Sequence, residues 1–294
     1  VYKKELSEKW VVLTFDGSNS PFEQSTSVCW ICGRKRLYLL DTHTGPLSMV
    51  PVVKFAQERF REQWDSETPV IFNSHSDWDH VWGNCAFPSS SIIGHSKCRE
   101  FMADDDRWNH SLKLFSDAKN GDVIRRLPQI TFQNNIDFPE DGLRFFHSPG
   151  HSADSSSVFD DHTGVLFVAD NLELPLPYLQ SHNLEPYLST LDNYLKMSPR
   201  IIVSSHSGLV DVELIHSTKK YIELLIEGKE PDLKSEEAIV IHNSNLRTMI
   251  VSNIEEQLRD ELGESFDMNL FIQALESNEG TPASELEENL LAAF

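Results

Sequence analysis

Short apolar runs alternate with polar turns through the first half of the chain. Val11–Phe15, Ser27–Cys32 and Leu37–Asp41 are β-rich and bounded by Gly, Asn or Ser, the pattern of short strands. Gly45-Pro46 interrupts the chain, and Val52–Trp64 then carries apolar residues at helical spacing. Pro69–Phe72, Ile92–Ile93, Leu143–Phe146 and Val165–Ala169 predict further strands, as does Ile201–Ser204 after a helix over Leu188–Met197. Ser96 to Asn134 is polar and partly helical, which fits either a lid over a cleft or a solvated helix pair. From Val212 onward the pattern is helical: Val212–Glu227, Glu236–Ile241, Asn245–Leu262 and Asp267–Glu276, with a turn at Gly280-Thr281-Pro282 before a last short helix. Alternating β and α units that end in helices predict an α/β sandwich, with a main domain over 1–233 and a helical extension over 234–294.

The polar residues just past the predicted strands change the picture from fold to chemistry. Asn73-Ser74-His75-Ser76-Asp77-Trp78-Asp79-His80 follows Val70–Phe72 directly, so four metal-ligand side chains fall within six residues. Without a cation to share, such groups repel or crowd one another. His151 follows a Pro149-Gly150 turn, Asp170 ends the run Val165–Ala169, and His206 comes just after Ile201–Ser205. Loops at one end of a layered sheet are where binding residues gather. A single such histidine is more often structural; the whole set points to a metal centre.

The set resembles the metallo-β-lactamase superfamily, whose metal loop is written His-x-His-x-Asp-His. It matches at His75, Asp79 and His80, with Asp77 where the second His normally stands. Pro149-Gly150-His151 matches a second signature, and Leu40-Asp41-Thr42 resembles the family's Asp-Thr-Gly turn with Gly45 displaced. The resemblance runs from about Val11 to about Glu227 and implies an α/β, four-layer αβ/βα sandwich. It also implies two subsites. His75, Asp77 and His151 would hold one divalent ion, Asp79, His80 and His206 a second, and Asp170 would bridge them, with Asp79 and His80 counted as catalytic as well. A hydroxide held between the ions would attack a carbonyl carbon or phosphorus.

Asp77 alters the charge balance. Three carboxylates and a hydroxide cancel two divalent ions, whereas a histidine at 77 would leave one positive charge over. A carboxylate is also a harder ligand, which brings iron and manganese into view beside zinc. The alternative reading is therefore a diiron redox enzyme of the same fold, reducing oxygen or nitric oxide, or a sulfur dioxygenase. No Gly-rich phosphate loop follows Asp211, which argues against a flavin domain. A non-catalytic scaffold is a third reading, weakened because every ligand position still carries a metal-binding side chain.

Composition narrows the partners. Hydrophobic content of 39% and charged content of 24% fit a globular protein, and no apolar run reaches the roughly 20 residues of a membrane span. A net charge of -21 repels polyanions and anionic membrane surfaces. That leaves a small-molecule ester, thioester, lactone or phosphoester as the expected substrate. The acidic helical stretch Lys234–Phe294 offers a surface for a homo-oligomer. Cys29 and Cys32 read as buried strand residues facing opposite sides of a hairpin, and with Cys85 and Cys98 they suggest a reduced, cytoplasmic setting. No signal peptide is visible at the start. Ser74, Ser76 and Ser205 are expected to hydrogen-bond the ligands, and Tyr178, His182 and Tyr187 are candidates for touching substrate. The remaining histidines, 43, 95, 110, 147, 162, 216 and 242, are expected to be structural or on the surface.

Overall fold

A computed structural model describes residues 1–17 and 25–294; the turn expected between the first two predicted strands lies largely outside them. Seven strands form one sheet in chain order: β1 (Tyr2–Glu5), β2 (Trp10–Phe15), β3 (Thr26–Cys32), β4 (Leu37–Leu40), β5 (Val70–Asn73), β6 (Ile92–His95) and β7 (Ile130–Phe132). Its first three pairings are antiparallel and its last three parallel. The second sheet holds β8 (Asn135–Phe138), β9 (Leu143–His147), β10 (Ser156–Asp160), β11 (Val165–Ala169), β12 (Ile201–Ser204) and β13 (Gly208–Val210), in the order 13-12-11-10-9-8.

Strand alternation sorts the side chains into layers. Trp10, Val12, Ile31, Tyr38, Leu40 and Phe72 point inward and meet Phe145, Val158, Phe167 and Val203 of the second sheet. The opposite face of the first sheet, including Val11, Trp30, Leu39 and Ile71, packs on Val52 and Ala56 of α1 (Val50–Arg59). Leu166, Val168 and Ile202 face away from the first sheet, onto α6 (Glu185–Met197) and α7 (Val212–Ile226). The result is helix, sheet, sheet, helix: the expected four-layer sandwich. Because both faces of β3, β4, β5, β11 and β12 are covered, these strands read as continuous apolar runs.

Several boundaries differ from the sequence reading. The helix expected over Val52–Trp64 divides into α1 and α2 (Arg61–Ser66), because Phe60 leaves helical geometry (φ −122°, ψ 43°) and buries its ring in the core. Pro186 sits in the first turn of α6 and starts that helix before Leu188. The break expected between Ile241 and Asn245 is absent, and α8 (Glu236–Leu262) is continuous. Asn245 does not disrupt it because its side chain is held elsewhere: its Oδ1 accepts from Leu179 N (2.9 Å) and its Nδ2 donates to Pro177 O (2.9 Å).

Ser96 to Asn134 contains α3's neighbours rather than α3 (Trp78–Val81) itself. They are α4 (Ser96–Ala103) and α5 (Asp105–Leu114), followed by β7. Trp108 of α5 packs with Val81, Trp82, Cys98 and Met102 in a small core of its own. At the C-terminus, α9 (Met268–Ser277) and α10 (Ala283–Leu291) close a separate apolar cluster with the end of α8, including Ile254, Leu258, Phe271, Leu286 and Leu290. Cys29 faces the inter-sheet core and Cys32, half-buried, the outer face; all four cysteines are free. No described helix is long and apolar enough to cross a membrane.

Candidate metal centre

Five strand ends deliver the seven expected ligands and their support to one place. β4 leads to Asp41, β5 to His75, β9 to His151, β11 to Asp170 and β12 to His206, while the short α3 carries Asp79 and His80. His75 Nε2 lies 3.5 Å from Asp77 Oδ2, and His151 Nε2 lies 3.3 Å from the same oxygen. On the other side, Asp79 Oδ2 is 3.5 Å from His80 Nε2 and 3.4 Å from His206 Nε2. Asp170 Oδ2 sits between the two groups, 3.6 Å from His75, 3.2 Å from His80 and 3.1 Å from His206.

Each imidazole is aimed by its other nitrogen. Nδ1 pairs with Ser74 Oγ in His75 (2.9 Å), Asp41 Oδ2 in His80 (2.9 Å), Tyr178 O in His151 (2.8 Å) and Ser25 O in His206 (2.8 Å). All four Nε2 atoms therefore face inward, the arrangement by which outer hydrogen bonds orient metal ligands. Asp41 is the hub: it also accepts from Ser74 N and Ser74 Oγ, each at 2.7 Å. The Pro149-Gly150-His151 turn is tied down by Asn171, whose Oδ1 accepts from His151 N (2.9 Å). A Cβ at Gly150 would lie 2.5 Å from both Asn171 Oδ1 and the Tyr187 ring, so only glycine fits there.

The residues present fit a shared cation. His75 Nε2, His80 Nε2 and Asp170 Oδ1 are buried and none meets hydrogen-bond geometry with a neighbour. Buried polar atoms without partners are costly, and three that converge on one space call for a positive ion. Among the described residues, four groups of ligand atoms lie close enough to hold one: His75–Asp77–His151, His75–His80–Asp170, Asp79–His80–His206 and His151–Asp170–Glu173.

Residues 27–206, more than half of the chain, match the metallo-beta-lactamase superfamily. The chain belongs to that superfamily. Solved metallo-beta-lactamases share its fold. The enzyme from Pontibacter korlensis aligns with TM-score 0.58 at 16% identity, over 76% of this chain and 98% of that one. That from Hirschia baltica aligns with TM-score 0.54 at 14% identity, over 75% and 96%. A curated sequence from Aspergillus versicolor, "Putative transcription factor avaE", is 27% identical over 191 residues, which is 57% of this chain. The chain spans about half the length of that relative, 56%.

The histidines and aspartates of this metallo-beta-lactamase-superfamily site shift one another's titration. Burial disfavours charge on the histidines, yet the aspartates overcome it, lifting His151 to about 9, His206 to about 10 and His80 well above the usual range. Burial likewise works to raise Asp77 and Asp170, but the surrounding histidines hold both well below ordinary carboxylates. The histidines and aspartates thus favour each other's charged forms. A raised histidine stabilises fully below its unfolded value near 6.5 and loses that contribution as pH climbs through its folded value. The depressed aspartates act oppositely, losing theirs only as pH falls below the carboxylate range. Metal-free protein is therefore expected to lose thermal stability between about pH 7 and about pH 10, while metal-loaded protein does not. Melting curves of both forms check this; parallel pH profiles would contradict it.

Two residues near the ligands had no signal strong enough to single out. Glu173, 2% exposed, brings a carboxylate oxygen within 4.8 Å of the ligand atoms of His151 and Asp170. Burial and the Asp170 charge push it up to about 7. Its one clue was an acid within the apolar stretch Leu172-Glu173-Leu174. Gln180 lays its Nε2 on Asp77 Oδ2 (2.5 Å) and His151 Nε2 (3.1 Å).

The supporting residues need some correction. Ser74 holds His75 as expected, but the Ser205 hydroxyl is buried with no partner and Ser76 borders an open cavity instead. Tyr187 is no substrate contact: it is buried beneath Gly150 and its hydroxyl donates to Asn171 O. His182 turns to α8, pairing with Ser252 Oγ (3.2 Å) and Glu256 (3.3 Å). Tyr178 contributes its carbonyl to His151 while its ring is partly exposed. Among the remaining histidines, His43 stacks on Phe15 (3.9 Å) and His95 on His147 (3.9 Å), and His242 hydrogen-bonds the Tyr221 hydroxyl.

Proposed function

We propose that the chain is a two-metal hydrolase acting on a small-molecule ester, thioester, lactone or phosphoester, with zinc as its ion. One observation carries the reading: four inward Nε2 atoms and three aspartates form two groups sharing Asp170, with Asp77 opening onto a cavity. His75, Asp77 and His151 would hold the ion nearer the cavity, and Asp79, His80 and His206 the inner one. A bound pair of divalent ions supplies an activated water and polarises the attacked bond. The chain's own part is orientation. Asp41 and Ser74 fix His80 and His75, Asp170 spaces the two groups, and Gln180 presents an amide donor at the cavity side of Asp77. No serine or cysteine nucleophile is needed.

Metal-loaded protein is expected to turn over at least one of these four substrate classes, and a chelator to stop it. Absence of turnover across all four would overturn the reading. The acids at 77 and 173 favour a second one, in which iron is bound and the chemistry is redox. Replacing Asp77 with His is expected to shift metal preference toward zinc in competition binding, because it exchanges a hard anionic ligand for a neutral nitrogen. An unchanged preference would count against the charge argument.

A further inference from the structure

A cavity of about 610 Å³ opens beside Asp77 and Gln180. It lies between the metal loop, α4–α5 and the C-terminal half of α8. Its volume is in the range of small-molecule sites. We propose that this cavity binds the acyl portion of the substrate, and that this portion is an uncharged, planar aromatic ring system. The proposal rests on the hydrolytic reading for the reaction, but its binding claim stands separately.

Two observations carry it. The first is the lining: Trp78, Trp82, Phe101, Trp108 and Phe115 all border the cavity. Trp78 is stacked on Phe115 (4.7 Å, 18°) and tilted against Trp82 (5.5 Å, 57°), so aromatic faces and edges are already in fixed positions. Aromatic pairs gain from offset or edge-on geometry beyond the area they bury, which a saturated ring of similar bulk cannot reproduce.

The second is charge. The wall carries the cations Lys97, Arg107 and Arg259 and the acids Asp77, Glu100, Glu255 and Glu256, with Arg107 and Arg259 sharing Glu255. It therefore offers no excess of positive charge to hold an anion, and an uncharged ring is the occupant that its aromatic lining suits.

The helical C-terminal region belongs to this cavity as much as the sandwich does. Arg107 of α5 pairs with Glu255 of α8, Lys113 with Glu276 (2.9 Å), and Asn269 Nδ2 donates to Asp106 Oδ1 (2.9 Å). These contacts hold α5 against α8 and α9, so the wall facing Trp78 is built from both parts of the chain.

The test uses the full-length, metal-loaded protein and two kinds of probe. Binding of 2-naphthamide, read by quenching of tryptophan fluorescence, is expected to exceed that of its fully saturated counterpart by about tenfold. Turnover of naphthoyl thioesters is expected to exceed that of the saturated thioester by a similar factor in kcat/KM. Ser111→Phe, which fills the cavity from α5, is expected to weaken naphthamide binding by about tenfold or more while the melting temperature stays near the parent's. Should that variant fail to fold, Phe101→Leu removes one ring and is expected to reduce the aromatic preference. Equal binding of aromatic and saturated probes overturns the proposal even where thioesters are hydrolysed. Aromatic-selective binding without any turnover instead upholds the cavity and overturns the hydrolase reading.

Discussion

Asp170→Ala is expected to lose bound metal and to lower turnover by on the order of a thousandfold or more. Among the described residues, Asp170 is the one whose carboxylate approaches three of the four inward imidazoles, at 3.1–3.6 Å. Removing it takes away the anion on which His75, His80 and His206 converge. His75→Ala and His206→Ala each remove one imidazole from the site, and are expected to cost metal and activity in the same direction. Metal content and turnover of the three variants check this together. Normal activity in any two would contradict the assignment of these ligands.

Asp41→Ala is expected to have the largest effect on stability of any single change at the site, about 3–5 kcal/mol. Asp41 is fully buried and touches no expected metal position, yet it accepts from Ser74 N, Ser74 Oγ and His80 Nδ1. Alanine strands all three donors in a space closed to water. It also frees His80 to rotate, so metal affinity is expected to fall by about 10–100-fold. Chemical denaturation and metal titration of the folded fraction read the two effects separately. Asp41→Asn keeps the shape but not the charge, and an intermediate loss is expected from it. Stability within about 1 kcal/mol of the parent in Asp41→Ala would show that the hub is dispensable.

How legible this protein was depended on how local each signal is. The central strands were readable because their burial on both faces produces unbroken apolar runs, as in Val165–Ala169. β1, with every residue exposed, carries no such run and exists only because it pairs with β2. β10 was hidden for another reason: the adjacent buried residues Ser156 and Ser157 put a hydroxyl on each of its faces, with Ser157 Oγ held by Ser148 Oγ (2.7 Å) and Tyr194 OH (2.6 Å). The ligands stood out because they follow strand ends in tight motifs. Glu173 and Gln180 did not, since the loop that carries them takes its course from distant partners such as Asn245 and Ser207. The cavity was equally invisible. Its walls come from α3, α5 and α8, which are far apart in sequence and meet only in the folded chain.

The central claim is that this site holds two metal ions. Plasma mass spectrometry on protein purified without chelator or an affinity metal, and again after reconstitution, addresses it most directly. About two ions per chain are expected, falling to well below one in Asp170→Ala. Wild-type protein that remains metal-free after reconstitution with zinc, iron and manganese would contradict the account at its root.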